Sequence, residues 1–305
     1  MIRQDELNYI PIDKSWAIRC LVLDIINGFK DRASQLVHDI YAPADVRFAA
    51  QACLDWDTQS TICVGESGTL LRFLKFLCWK YGYQKKFTTL DTLNRRVVCD
   101  DPAIVHSDFD ALMKLDGGTS QWASAAALCG EGVWTDMFSK PYKYQLTLNA
   151  IRHYDSMRDA DKPWEHIKDV TILLQATAFK GAMEGIRNPF IPMHAEDYCF
   201  ARAFGYLTKD DVPYIRQKWP QLANHESNRF EEMEEAIVKL REQGLIESRD
   251  HRVVQALVML AVSTNKHYEC TYQEVVGKSW PRFWEFIAQY DKNVTIEKQP
   301  VPSPV

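Results

Sequence analysis

The chain has 305 residues, 46% of them hydrophobic, with 36 basic against 41 acidic side chains and a net charge of −5. That length and apolar content suffice for a substantial core and predict two moderate domains. The near balance of charge, without a long run of one sign, excludes a broad electrostatic surface for nucleic acid or an anionic membrane.

The N-terminal segment MIRQDELNYIPIDKS carries acids and no apolar signal region, and no stretch reaches spanning length, which together predict a cytoplasmic protein. Its eight cysteines fall at irregular spacings without a CxxC, mostly inside apolar segments, so reduced core thiols are expected; the histidines form no metal-binding pattern.

In chain order, Lys14-Ser15 with Arg19 opens the first segment of helical apolar spacing, and Asp45-Val46-Arg47 follows. The β-like piece 60–64 leads into Gly65-Glu66-Ser67-Gly68-Thr69 and Arg72, at the head of a dense apolar run, 70–79, that predicts a buried helix. A second β-like piece, 96–99, precedes Gly117-Gly118-Thr119-Ser120-Gln121 and a buried Ala-rich helix over 122–129. Then come Ser139-Lys140-Pro141-Tyr142 and, at 159–163, a polar stretch marking a boundary region.

In the second half, Phe230, Met233, Ile237 and Leu240 step by three and four until Gly244, an amphipathic helix headed by Glu226-Ser227-Asn228-Arg229. Asp250-His251-Arg252 heads a helix over 253–262, 268–272 is β-like, and Lys278-Ser279 precedes a helix over 282–290. The order is mixed α/β, and the Pro-rich end, 296–305, reads as a disordered tail.

Singly, each polar motif reads as an ordinary helix cap or a surface ion pair. Their shared position at helix starts points further, because a helix N-terminus offers unpaired N–H groups and the positive end of the macrodipole to an anion. Beside Arg and Lys, such seats suit a multiply anionic small molecule.

Taken in order, the motifs resemble the 5-enolpyruvylshikimate-3-phosphate synthases, the enolpyruvyl transferases of aromatic amino acid biosynthesis. Pro11 to Arg19 is similar to that family's P-G-S-K-S-x-S-x-R, Asp45-Val46-Arg47 to D-D-V-R, Gly65 to Arg72 to G-N-A-G-T-x-x-R, and Thr119-Ser120-Gln121 to S-S-Q. Ser139 to Tyr142 repeats S-K-P-Y, His225 to Arg229 resembles K-E-S-D-R, and D-H-R and K-S-[FY]-P follow at 250–252 and 278–281.

The resemblance implies a two-domain fold of repeated βαβαββ units with at least one unit trimmed, divided as 14–145 and as 1–13 plus 146–295, with helix N-termini facing an interdomain cleft. It implies transfer of the enolpyruvyl group of phosphoenolpyruvate to shikimate 3-phosphate or a similar phosphorylated cyclic alcohol, without cofactor or metal. Lys14, Gly68, Arg229, Arg252 and Lys278 match positions that surround phosphoenolpyruvate. Ser15, Arg19, Thr119, Ser120, Gln121 and Ser139 match positions that hold the acceptor. Lys14, Glu226 and, from its spacing, Asp197 match the catalytic groups, with Glu196 the alternative to Asp197.

Departures are specific: Glu66, His225 and Asn228 replace asparagine, lysine and aspartate, and D-x-S-S-A survives at most as Asp169-Val170-Thr171. The family's R-P arginine is missing around 84–89, where Lys85 or Lys86 is the available cation. These changes bear on acceptor identity more than on enolpyruvyl chemistry. The rivals are transfer to another acceptor and a silent paralogue that binds an anionic metabolite.

Overall fold

Asp13 accepts the Trp16 N–H at 2.9 Å and so starts helix α1 (Lys14–Asn27), the first α-helix of a computed structural model that describes residues 2–3, 5–90, 93–94, 96–130, 140–159, 164, 167–224 and 227–291. Helices predominate. The chain divides into two units, residues 12–167 and residues 1–11 with 168–301, each with its own core.

In the first unit, α1 packs against α3 (Ala44–Asp55), which also contacts α2 (Asp31–Leu36). Strand β1 (Thr61–Cys63), helix α4 (Gly68–Tyr81) and strand β2 (Lys86–Thr88) form a parallel βαβ crossover, Thr61 lying opposite Lys86. The dense apolar run is accordingly a buried helix, capped by the Ser67 hydroxyl, which accepts the Leu70 N–H at 3.3 Å. Helices α5 (Phe109–Lys114), α6 (Gln121–Leu128), α7 (Tyr142–Arg152) and α8 (Tyr154–Arg158) follow, with α6 packed on both α4 and α7.

Residues 146–167 were expected in the second domain, but they belong with the first unit. Arg19 of α1 donates to Thr147 Oγ1 at 2.6 Å, and the Tyr154 hydroxyl donates to buried Asp24 at 2.7 Å, so α7 packs along α1 and α8 is tied to it by that hydrogen bond. The expected strand at 96–99 is irregular chain: the Arg96 N–H bonds to the Leu93 carbonyl, and the Cys99 N–H goes to the Asp116 carboxylate at 3.0 Å. The parallel partner of β1 is instead at 86–88.

The second unit contains α9 (Val170–Met183), α10 (Tyr198–Ala203), α11 (Val212–Lys218), the strand pair β3 (Ala223–Asn224) and β4 (Ser227–Asn228), and α12 (Arg229–Gln243). A second parallel crossover closes it, with β5 (Leu245–Ile246), α13 (His251–Ser263) and β6 (Glu269–Cys270), followed by α14 (Phe283–Ile287). Gly244, at φ +70°, ends α12 in the left-handed conformation that residues other than glycine rarely adopt. The last helix is shorter than the 282–290 expected, since the chain turns out at Ala288.

The N-terminal segment joins this second unit through polar bonds. The Glu6 carboxylate is buried against Lys180 Nζ (2.7 Å) and the Tyr290 hydroxyl (2.8 Å), while Trp280 Nε1 donates to the Tyr9 carbonyl at 2.6 Å. Among the described residues every sheet has two strands, none longer than three residues. Ladders this short are stable only against packed helices. All eight cysteines are free thiols, and burial pushes Cys20 and Cys53 up to about 12. Among the described residues no helix is long and apolar enough to cross a membrane.

Candidate functional site

Each parallel crossover leads from a strand into a helix whose first turns carry one of the polar motifs, and Lys14, Ser15 and Arg19 lie in the first turns of α1.

At the start of α1, Lys14 Nζ lies 3.0 Å from the buried carboxylate of Asp45. The Ser15 hydroxyl accepts from Lys143 Nζ at 3.1 Å, a cation absent from the motifs although it directly follows S-K-P-Y. Arg19 does not open toward a ligand. Its guanidinium is buried over the Phe73 ring and donates to the Ser15 carbonyl (2.7 Å), Thr147 Oγ1 (2.6 Å) and the Lys143 carbonyl (3.0 Å). It joins α1 to α4 and α7. Ser139 lies outside the described residues.

At the start of α4, the Phe48 ring presses on Gly65, where an added Cβ would meet it at 2.4 Å, and Gly65 sits at φ +59°. Gly68 is the first helical residue, and a Cβ there would lie 2.8 Å from Arg72 Nη1 and 3.4 Å from Arg96 Nη1. Two guanidinium groups therefore flank a helix N-terminus whose first residue lacks a side chain. Arg96 thus lies beside Gly68, although the stretch 84–89 offered only Lys85 and Lys86 as cations. Lys85 is instead engaged by the Trp56 and Gln59 carbonyls, the latter at 2.6 Å, and Lys86 is exposed on β2.

Arg72 also ties α4 to α6. Its Nε donates to Asp116 Oδ2 at 2.5 Å and its Nη1 to Gln121 Oε1 at 2.9 Å. Asp116 further accepts from Trp122 Nε1 at 2.9 Å and, as a non-glycine residue at φ +48°, begins a run of three left-handed residues completed by Gly117 and Gly118. Those bonds hold an otherwise unfavourable backbone, and with it the Thr119-Ser120-Gln121 turn. Thr119 Oγ1 accepts the Gln121 N–H at 3.3 Å, whereas the Ser120 side chain makes no capping bond.

In the second unit, Asp250 Oδ1 accepts the Arg252 N–H at 2.8 Å and so caps α13, while its Oδ2 meets Arg229 Nε at 2.6 Å. Burial alone would raise the Asp250 carboxyl, but the charges of Arg229 and His251, the Arg229 hydrogen bond and the Arg252 N–H hold it well below the usual carboxylate range. Arg252 donates from Nη2 to Glu196 Oε2 at 3.2 Å, and its Nη1 is buried without a hydrogen-bond partner. Arg229, Asp250, Arg252 and Glu196 thus form one chain of charges at a helix N-terminus.

Asp197 is next to Glu196 but differently held. Its Oδ2 accepts the N–H groups of Met193 (2.9 Å) and His194 (3.3 Å), and its Oδ1 accepts from Gln175 Nε2 at 3.2 Å. His194 Nε2 lies 2.7 Å from Thr171 Oγ1, and Asp169 caps α9 by accepting the Ile172 N–H at 2.9 Å. Lys278 ends a helical turn, Gln273–Lys278, that packs on α13. Glu226 and His225 lie outside the described residues.

Guanidinium groups beside a helix N-terminus are donors of the kind that suit phosphate and carboxylate oxygens; at α13 the Asp250 carboxylate already accepts the Arg252 and Val253 N–H groups. No family model, curated protein or solved structure matches the chain.

Proposed function

We propose that the protein is a shortened enolpyruvyl transferase with a trimmed βαβαββ fold, taking phosphoenolpyruvate and shikimate 3-phosphate or a similar phosphorylated cyclic alcohol. The observation that carries this reading is Arg252, whose Nη1 is buried without a partner in the first turn of α13, beside the Arg229–Asp250 pair. A buried guanidinium donor left unsatisfied is expensive, and an anionic oxygen would satisfy it. Further support comes from Gly68 between Arg72 and Arg96, and from a βαβ crossover in each unit that leads into a motif helix.

In the proposed reaction a base takes the proton of the acceptor hydroxyl as its oxygen bonds to C2 of phosphoenolpyruvate, and an acid supplies a proton to C3, giving a tetrahedral ketal. Loss of a C3 proton and cleavage of the C2–O bond to phosphorus then release phosphate and leave the enolpyruvyl ether. Lys14 and Glu226 are assigned the proton transfers, with Asp197 orienting the acceptor hydroxyl. Arg229, Arg252 and Lys278 hold the phosphate and carboxylate of phosphoenolpyruvate and offset charge as the ketal forms. Ser15, Thr119, Ser120, Gln121 and Ser139 hold the acceptor.

A second reading, binding of an anionic metabolite without turnover, is favoured by the three donors already on Asp197 and by the closed bonding of Arg19. Phosphate release from phosphoenolpyruvate, measured with and without shikimate 3-phosphate, separates the two. Turnover only with both substrates supports transfer; binding of both without release supports the silent form. Absence of phosphoenolpyruvate binding removes the transferase reading.

A further inference from the structure

Gln255 is 1% exposed on α13, where Val253, Val254, Ala256, Leu257 and Val258 are all buried around it. An amide among such neighbours is unfavourable unless its polar atoms are bonded. Nε2 donates to Ser279 Oγ at 3.1 Å and, more weakly, to the Val276 carbonyl at 3.4 Å, while Oε1 is buried without a partner. A carbonyl can only accept, so the NH2 end must face Val276 whichever way the amide is assigned.

The two acceptors straddle Lys278 in sequence. Val276 carries the carbonyl that also closes the turn, accepting the Ser279 and Trp280 N–H groups at 3.2 and 2.9 Å. At its other end, Gln255 lies three residues beyond Arg252, a spacing that puts both on one side of the helix. A thioether of similar length would fill the same space without leaving a buried oxygen unpaired, so packing alone gives no reason for glutamine here.

We propose that Gln255 is a positioning residue that holds the Lys278 turn in register with the first turn of α13, so that Lys278 and Arg252 bind the same molecule of phosphoenolpyruvate. The inference rests on the enolpyruvyl transferase reading for its ligand.

The test titrates phosphoenolpyruvate into the full chain by calorimetry, using wild type, Gln255→Met, Ser279→Ala, Lys278→Ala and the Gln255→Met/Lys278→Ala double variant. Gln255→Met is expected to weaken binding about tenfold and Ser279→Ala several-fold, and the effect of Gln255→Met should vanish once Lys278 is gone. If Gln255→Met does not fold, Ser279→Ala with and without Lys278→Ala carries the same comparison from the other end of the hydrogen bond. Unchanged affinity in both single variants, or an equal loss with and without Lys278, overturns the positioning role while leaving the transferase reading in place. A wild-type chain that does not bind phosphoenolpyruvate overturns both.

Discussion

The Arg229 guanidinium and the Asp250 carboxylate meet at 2.6 Å, and the carboxylate's other oxygen caps the helix that carries Arg252. One side chain thus joins the start of α12 to the start of α13. It also neutralises Arg229 within the protein, while Arg252 keeps a buried donor, Nη1, without a hydrogen-bond partner.

Asp250→Asn keeps a capping oxygen but leaves Arg229 without its counter-charge, and Asp250→Ala removes both. Urea unfolding should show a loss of roughly 2 kcal/mol for the first, and about 1 kcal/mol more for the second. Equal losses in the two variants would mean that the cap contributes nothing.

Arg252→Gln removes a charge that Glu196, itself partly exposed, can replace with water. Stability should therefore change by less than about 1 kcal/mol. Phosphoenolpyruvate binding, measured by calorimetry, should weaken by at least tenfold, since a charge-assisted contact is lost.

Gly68 and Gly65 give opposite expectations within one loop. Gly68→Ala has only the end of Arg72 to displace, so stability should hold within about 1 kcal/mol while anion affinity falls, because that guanidinium must shift. Gly65→Ala places a methyl against the Phe48 ring at positive φ and should lose more than about 2 kcal/mol in thermal or urea unfolding.

Glu6 gives a pH signature. Burial opposes its ionisation, but the Arg3 N–H, Lys180 and the Tyr290 hydroxyl together lower its carboxyl from 4.5 to about 2. A depressed pKa contributes stability above pH 4.5 that is lost as the pH falls toward 2, roughly 3 kcal/mol in all. Unfolding at pH 6, 4 and 3 should show wild type converging on Glu6→Gln as the pH drops; a constant gap would assign the effect to packing.

What the sequence determined was local. The starts of α4, α12 and α13 and the stop at Gly244 could be read from caps and apolar spacing, because a helix end is satisfied by side chains within three residues of it. Buried thiols followed from apolar surroundings in the same way. Tertiary structure alone decided which distant groups meet. It brought Arg96 to Gly68, closed Arg19 into bonds with Thr147 and Lys143, gave Asp197 its Gln175 partner, and joined Gln255 to Ser279. It also left 96–99 without a strand partner, because β1 paired at 86–88 and the Cys99 N–H found a carboxylate. Such pairings depend on how whole helices pack, and no local spacing in the chain encodes the distance between two side chains that packing brings together.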